Sequence, residues 1–185
     1  MKLTVTKRTG TKKVEVKEIR RKGDIPAILY SPGRPCELIV VDGTEFSTLL
    51  RQMKPGRLPT TKLTLIVDGK ERTAIIKDIQ YHLTTYNVTH LDFEELIDTV
   101  PVEVKVPIQC IGIVDCIGIK LGGFLRQVIR TVKVKCLPSN MPAEFQVDVR
   151  ELGIRQSKRL SDLIIPEGVK PLAPMEEVVV VIAKR

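Results

Sequence analysis

The chain of 185 residues is 43% hydrophobic, carries a formal net charge of +8 and contains only 4% aromatic residues, none of them Trp. No apolar run approaches the ~18 residues of a membrane span, and no apolar signal segment follows the basic N-terminus, so we expect neither a membrane protein nor an exported one. The scarcity of aromatic rings argues against a stacking surface for single-stranded nucleic acid. A cytoplasmic protein with a polyanionic partner fits these values better.

Almost all of the net charge lies at the start of the chain. Residues 1–22 hold nine Lys and Arg against two acids, Glu15 and Glu18, which gives +7 and leaves +1 for the remaining residues. The segment leads directly into an apolar stretch at 25–30, which would anchor it to a folded body. We predict a phosphate-binding element here, and a solvated charged face is the alternative for any Lys/Arg run.

The first half of the chain has the pattern of short strands interrupted by two helices. A helix is predicted over Val14–Lys22, ending at Gly23 with cations in its last turn. A second helix begins after an N-cap at Asp42 or Thr44 and extends to about Met53. Strands are predicted from alternation or β-rich composition at 3–7, 25–30, 36–41, 63–67, 72–80 and 87–93, the fourth and fifth joined by an Asp-Gly hairpin turn.

The second half differs in texture, so a boundary is predicted near 98–101, with one domain at 1–97 and another at 98–185. Strand-like segments recur at about 101–108, 128–137, 145–150 and 177–183, and one short helical turn is predicted at 160–164. Gly118–Gly123 lacks the Gly-Lys-Ser/Thr ending of a phosphate loop, so a β-bulge or tight turn is expected. We therefore predict a mainly β protein with a few short helices and two domains.

The four cysteines predict reduced thiols. They form no Cys-x-x-Cys pair and have no His close in the sequence. A small number of cysteines in a chain of this length is typical of a protein in a reducing compartment, where they serve as small, mostly buried core residues. Their spacing does not suit a zinc site. We expect no disulfide, metal or cofactor at Cys36, Cys110, Cys116 or Cys136.

The two histidines raise the question of a catalytic or metal site. In a strand over 87–93, His90 and Asp92 lie on one face, whereas Leu91 and Phe93 point to the core. A His–Asp pair could be an oriented general base, but no Ser or Cys lies in a nucleophile-elbow context. Metal binding would need His82 as a third ligand, and a surface pair without function is the structural alternative.

Nucleic-acid binding accounts for more of these residues. An Asp accepts hydrogen bonds from base amino or imino groups, which a Lys cannot do, so Asp92 could supply specificity. His90 could donate to a phosphate or a 2′-hydroxyl, or orient Asp92. In an A-form helix the wide minor groove exposes 2′-hydroxyls and base edges to a rigid sheet face. The sequence thus favours RNA binding without catalysis.

Several motifs occur in a fixed order along the chain. The first half contains Arg20-Arg21-Lys22-Gly23, Ile25-Pro26-Ala27 with Tyr30, Asp68-Gly69-Lys70, Asp78-Ile79-Gln80 and His90-Leu91-Asp92-Phe93. The second half contains Gly122-Gly123-Phe124-Leu125, Cys136-Leu137-Pro138 with Met141-Pro142, Val147-Asp148-Val149 with Leu152, Leu163, and Pro166-Glu167-Gly168-Val169. The first set resembles the family of bacterial large-subunit ribosomal protein number twenty-five, and the second resembles the extra carboxyl domain of its longer, general-stress-protein (Ctc) type members.

The resemblance implies a six-stranded β-barrel as the first domain, similar in fold to an anticodon-binding domain of glutaminyl-tRNA synthetase. In the family this barrel binds 5S rRNA at an internal loop with a widened minor groove. Carried onto this sequence, the resemblance implies that phosphates are held by cations and that the groove is contacted by a His–Asp pair, with the Tyr against the RNA. The residues implied are Arg8, Lys12 or Lys13, Arg20, Arg21, Tyr30, His90 and Asp92.

The resulting hypothesis is a non-enzymatic, ribosome-associated constituent of the large subunit that is a monomer when free. Its carboxyl domain would contact other rRNA or ribosomal proteins. A stress-related or tRNA-associated accessory protein that uses the same barrel on another RNA is the alternative. An enzyme that uses His90 and Asp92 is a third hypothesis, and it would require turnover that is lost when His90 is replaced.

Overall fold

The computed structural model describes residues 2–10 and 12–184. The chain divides into two compact units, 1–100 and 101–185, and the break falls inside the segment 98–101 that separates the two predicted domains. Each unit has its own cluster of buried apolar side chains. The predicted mainly β fold, with a six-stranded barrel followed by a second β-rich unit, is confirmed.

Six strands of the first unit close into a barrel in the order β1-β3-β2-β6-β5-β4. Strand β1 pairs antiparallel with β3 and parallel with β4, which closes the barrel, and β2 pairs parallel with β6. Leu91 and Phe93 of β6 are fully buried in the interior, as the alternation predicted. The strands are β1 (Lys2–Lys7), β2 (Ile25–Tyr30), β3 (Glu37–Val41), β4 (Leu63–Val67), β5 (Lys70–Tyr81) and β6 (Val88–Glu95).

Two helices lie between these strands. Helix α1 (Lys13–Lys22) ends at Gly23, whose φ of 91° is the left-handed conformation that glycine adopts most readily. Helix α2 (Gly43–Gln52) begins after Asp42, whose carboxylate accepts hydrogen bonds from the backbone of Thr44 and Glu45, so Asp42 is the N-cap. A short 3-10 helix, Leu58–Thr60, precedes β4.

One end of the barrel is occupied by three ionised side chains. Arg72 on β5 donates a hydrogen bond from Nη1 to Glu37 Oε1 at 2.7 Å, and Glu37 lies on β3, which is not a neighbour of β5. Lys7 at the end of β1 lies 3.3 Å from Glu37 Oε2. The Arg72 hydrogen bond is the main reason why the pKa of Glu37 is below its ordinary value, although partial burial opposes the shift. This cluster links three strands and uses one cation of the basic segment for folding.

The second unit contains seven described strands and two 3-10 helices. The strands are β7 (Val102–Ile111), β8 (Gly123–Gln127), β9 (Thr131–Cys136), β10 (Phe145–Asp148), β11 (Ser157–Arg159), β12 (Lys170–Pro171) and β13 (Val178–Lys184), with the 3-10 helices at Pro138–Asn140 and Leu160–Asp162. They form two sheets, one in the order β10-β7-β9-β12 and the other in the order β11-β13-β8. The apolar faces of the sheets form one core, which includes Val106, Val134, Phe145 and Ile182.

Some local predictions for this unit need correction. The segment Gly118–Gly123, expected to form a β-bulge or tight turn, does turn at Leu121–Gly122, where Gly122 has a φ of 90°. The one-turn helix α3 (Ile117–Lys120) that precedes this turn was not predicted. The helix is held by tertiary hydrogen bonds, from Ile117 N to Arg150 O and from Gly118 N to Leu152 O, so no local pattern announces it. The predicted strand at 128–137 begins only at Thr131.

The four cysteines are free thiols, of which Cys116 and Cys136 are buried, Cys110 is partly buried and Cys36 is exposed. Burial raises the pKa of the Cys110 thiol. None of the described helices has the length and apolar content required to cross a lipid bilayer.

Candidate RNA-binding interface

The outer face of β6 presents His90 and Asp92 side by side. Because successive side chains of a strand point to opposite faces, the buried Leu91 and Phe93 fix these two on the outside of the barrel. Their side chains are 15% and 23% exposed, so both are held within the surface and can still be reached by a ligand. His90 and Asp92 therefore share the outer face of this strand, as the alternation predicted.

The Asp92 carboxylate is held from two sides. Nδ1 of His90 lies 2.7 Å from Asp92 Oδ1, a close contact in which this buried nitrogen does not reach the alignment of a hydrogen bond. The Tyr30 hydroxyl on β2 donates a hydrogen bond to Asp92 Oδ2 at 3.2 Å. The parallel register brings these strands together, since Ile28 pairs with Asp92 and Tyr30 with Glu94. A carboxylate fixed in this way presents acceptor lone pairs in a defined direction.

The surroundings of Tyr30 change the ionisation of its phenol. Its side chain is partly exposed at the edge of the site. Partial burial, followed by the negative charge of Asp92 and the hydrogen bond to it, raises the pKa of the Tyr30 phenol above its ordinary value. The hydroxyl therefore keeps its proton, and its donor role toward Asp92, throughout the physiological range.

Arg20 connects the end of α1 to this strand. Its Nε donates a hydrogen bond to the backbone carbonyl of Thr89 at 3.0 Å, one residue before His90. The guanidinium carries five N–H donors, so the terminal nitrogens stay available for an anion. Arg21 and Lys22 follow in the same exposed last turn. The end of α1 thus places positive charge next to Thr89, one residue before His90.

Arg8 lies three strands away from Asp92 around the six-stranded barrel, so the structure does not bring it to the His90–Asp92 pair. Its backbone N–H bonds to Leu38 O, Leu38 pairs with Ile28, and Ile28 pairs with Asp92, so these residues form one row across the strands. At 4.7–4.9 Å per strand, Arg8 is about 14 Å from Asp92 along the sheet. Nη1 of Arg8 donates to Gly10 O, and its buried Nε has no hydrogen-bond partner among the described residues.

Lys12 and Lys13 are not brought to this group. Lys12 precedes α1 and Lys13 is its first residue, whereas Arg20 belongs to the last turn. With a rise of 1.5 Å per residue, Lys13 is about 10 Å from Arg20 along the helix axis. Both lysines are exposed, so they extend the positively charged surface without touching the His90–Asp92 pair.

Sequence reasoning did not assign two residues that border the site. Gln80 on β5 pairs directly with His90, and Asp78 pairs with Asp92. Both are exposed, so they share the outer face. The period-2 pattern of the second hairpin strand could have placed them together, but the irregular register between Ile76 and Asp78 obscures it.

The metal alternative needs His82, which has other contacts. Its Nδ1 lies 3.1 Å from the Thr84 hydroxyl and accepts a hydrogen bond from Thr85 N at 3.4 Å, both within its own loop. Within residues 2–10 and 12–184, no group of three or more His, Cys, Asp or Glu side chains is placed to hold a metal ion.

Comparison with known proteins covers nearly the whole chain. A model described as the Ribosomal L25p family matches residues 3–93, and one described as the C-terminal domain of ribosomal protein TL5 matches residues 101–185. Relatives named large ribosomal subunit protein bL25 align over the full length of both chains. They come from Chlamydia trachomatis serovar L2 at 49% identity, Chlamydia muridarum at 48% and Chlamydia pneumoniae at 45%.

The two family models, together with the barrel and the second β unit, define a ribosomal protein. Such a protein is structural rather than enzymatic. The chain belongs to the Ribosomal L25p family, in the long form that carries a TL5-type C-terminal domain.

Proposed function

We propose that this protein is a cytoplasmic constituent of the large ribosomal subunit and that its first domain, 1–97, binds 5S rRNA. The relatives are named as proteins of the large ribosomal subunit. The observation that carries the proposal is the fixed Asp92 carboxylate on the outer barrel face, on the same strand whose Thr89 carbonyl binds the Arg20 guanidinium. The second domain contacts other rRNA or ribosomal proteins.

Affinity comes from the cations around the site. Arg20 and Arg21 at the end of α1 hold phosphates next to the groove, and Arg8 holds one three strands away around the barrel. Lys12 and Lys13 add charge at the other end of the helix. Each phosphate neutralised contributes ~0.7–0.9 to the salt dependence of binding.

Selection comes from the rigid acceptor. Asp92 accepts hydrogen bonds from base amino or imino groups, and it repels any phosphate that lies in the same position. His90 donates to a 2′-hydroxyl or phosphate through the ring nitrogen that does not face Asp92. Tyr30 holds the carboxylate while its ring lies against the RNA. An internal loop with a widened minor groove admits this sheet face, whereas a regular duplex does not offer the same donors.

The proposal is tested by the RNA that the full-length protein retains. Tagged protein is incubated with cell extract, washed at increasing salt, and the bound RNA is sequenced. We expect 5S rRNA as the dominant species, with its internal loop protected from hydroxyl-radical cleavage. Dominant recovery of tRNA would instead support the accessory-protein hypothesis and contradict the proposal. A variant with Arg20→Ala should retain less 5S rRNA than one with Lys17→Ala, an exposed cation earlier in the same helix.

A further inference from the structure

The second domain carries a group of exposed lysines on the outer face of its four-stranded sheet. These are Lys105 on β7, Lys133 and Lys135 on β9, and Lys170 on β12, which together form the lysine face. Their strand neighbours Val104, Val132 and Val134 are buried, so alternation directs all three β7 and β9 lysines away from the core.

The register places like charges directly opposite each other. Lys105 pairs with Lys133, and Lys135 pairs with Lys170. Directly opposite side chains of an antiparallel pair have Cβ atoms ~4.5–5.5 Å apart, and like charges in such positions destabilise a sheet. An acid, Glu103 on β7, also lies on this face, where it pairs with Lys135. Among the described residues, none of the four lysines is held in an ion pair. An anionic ligand would relieve this repulsion between the paired lysines.

The face also contains a hollow bordered by two of the lysines. Lys135 and Lys170 line a cavity of about 430 Å³ together with Leu137, Gly168 and Pro101. Two lysines on neighbouring strands therefore border one concave site. Lys105 and Lys133 continue the positive charge along the sheet by two residues, or about 7 Å.

The chemistry of the face favours a phosphate chain over a protein. Lysine is depleted in protein–protein interfaces, whose energetic centres are aromatic side chains and Arg. Lysine instead binds phosphate as a flexible point charge. We propose that the lysine face is a second RNA-binding site, which holds the sugar-phosphate backbone of large-subunit rRNA. The choice of RNA depends on the proposed ribosomal function, but the site is separate from the His90–Asp92 interface.

Chemical reactivity of individual lysines tests the proposal in the full-length protein. Amine acetylation is followed by mass spectrometry with and without deproteinised large-subunit rRNA. We expect acetylation of the four lysines to fall about fivefold or more on RNA binding, while Lys158 on β11 and Lys184 on β13 stay equally reactive. Equal reactivity of all six would overturn the proposal. Protection by intact subunits but not by the deproteinised rRNA would assign the face to a protein partner, and it would also overturn it.

Salt dependence gives a second measurement with a matched control. Lys133→Gln/Lys135→Gln and Lys158→Gln/Lys184→Gln remove the same charge from the same domain. The first pair should lower the slope of log K against log salt by ~0.7–0.9 per lysine for the rRNA, and the second should leave it unchanged. Purified 5S rRNA is titrated in parallel. If the unmodified protein does not bind 5S rRNA, the proposed function is contradicted. If the two variants give equal slopes with large-subunit rRNA, the proposed role of the lysine face is contradicted.

Folding stability distinguishes a binding role from a structural one. If Lys133 is kept for a ligand, Lys133→Gln should stabilise the sheet by removing its repulsion with Lys105. The amides of β9 should then exchange hydrogen more slowly at low salt, and the gain should vanish at 1 M KCl, where the Debye length is only ~3 Å. Faster exchange in Lys133→Gln at low salt would show that the lysine stabilises the fold, and the proposal would fail.

Discussion

The Tyr30 hydroxyl donates a hydrogen bond to Asp92 across two parallel strands, at 3.2 Å. The contact joins Tyr30, the last residue of the strand that follows the basic segment, to a residue 62 positions later in the chain. It fixes the direction of the Asp92 carboxylate, whose other oxygen faces His90. The orientation of the acceptor is therefore part of the folded barrel before RNA arrives.

The ionisation of Tyr30 should report this contact. Burial and the neighbouring Asp92 charge raise the pKa of the Tyr30 phenol, so Asp92→Asn should move it back toward the ordinary value. Ultraviolet titration of phenolate isolates Tyr30 when the curve of Tyr30→Phe is subtracted in each background. An Asp92→Asn curve that superimposes on the unmodified one would show that the carboxylate does not influence the phenol.

The same pKa shift has a consequence for stability. A phenol whose pKa is higher in the folded than in the unfolded state contributes fully below the unfolded pKa, and the contribution is lost as pH rises through the folded one. Raising the pH above ~10, the ordinary value for Tyr, should therefore destabilise the unmodified protein more than Tyr30→Phe. Urea unfolding at pH 8 and pH 11 checks the difference.

Replacement of Arg20 by Lys should weaken 5S rRNA binding although the charge is kept. The guanidinium donates from Nε to Thr89 O while its terminal nitrogens face outward, and a single ammonium cannot reproduce this geometry. We expect about a fivefold to tenfold loss, on the order of 1 kcal/mol. Arg21→Lys is the control, since Arg21 is exposed in the same turn. Equal losses for the two variants in filter-binding titrations would argue against a special role for Arg20.

The ion cluster at the barrel end should give the first domain a pH-dependent stability. Since the Arg72 hydrogen bond lowers the pKa of Glu37, this contribution is complete above the unfolded pKa and is lost as pH falls through the folded one. Glu37→Gln should therefore cost about 1 kcal/mol at pH 7 and almost nothing near pH 2.

Tyrosine fluorescence during urea unfolding measures this effect, because all three Tyr residues lie in the first unit. Glu71→Gln is the control, since its pair with Lys2 is exposed to solvent on both sides. A cost for Glu37→Gln that is the same at both pH values would show that its charge is not responsible.

Much of the first domain could be predicted because its signals are local. Gly23 ends α1 and the Asp42 cap begins α2, as turn and capping chemistry suggested. Strand alternation placed His90 and Asp92 on one face. The alternation of Leu3 and Val5 in β1 also continues to Lys7. The charge count assigned Lys7 to the basic segment, but in the structure it belongs to the ion cluster at the barrel end.

The remaining features depend on contacts between distant segments. Tyr30 meets Asp92 only because β2 and β6 pair in parallel, and no local pattern specifies that register. Strand β8 (Gly123–Gln127) was not predicted, since it begins at a glycine and none of its side chains is fully buried; it is held by pairing with β13. Helix α3 likewise exists through backbone bonds to 150–152.

The central proposal is tested most directly by replacing Asp92 with Ala and measuring the ratio of the affinities for 5S rRNA and for an unrelated RNA duplex. Loss of the acceptor should weaken 5S rRNA binding by ~1–3 kcal/mol and leave duplex binding unchanged or stronger, because a negative charge is removed. Glu71→Ala, which removes an exposed acid elsewhere on β5, should keep the ratio of the unmodified protein. An Asp92→Ala protein that still prefers 5S rRNA to the same extent would contradict the role assigned to this carboxylate.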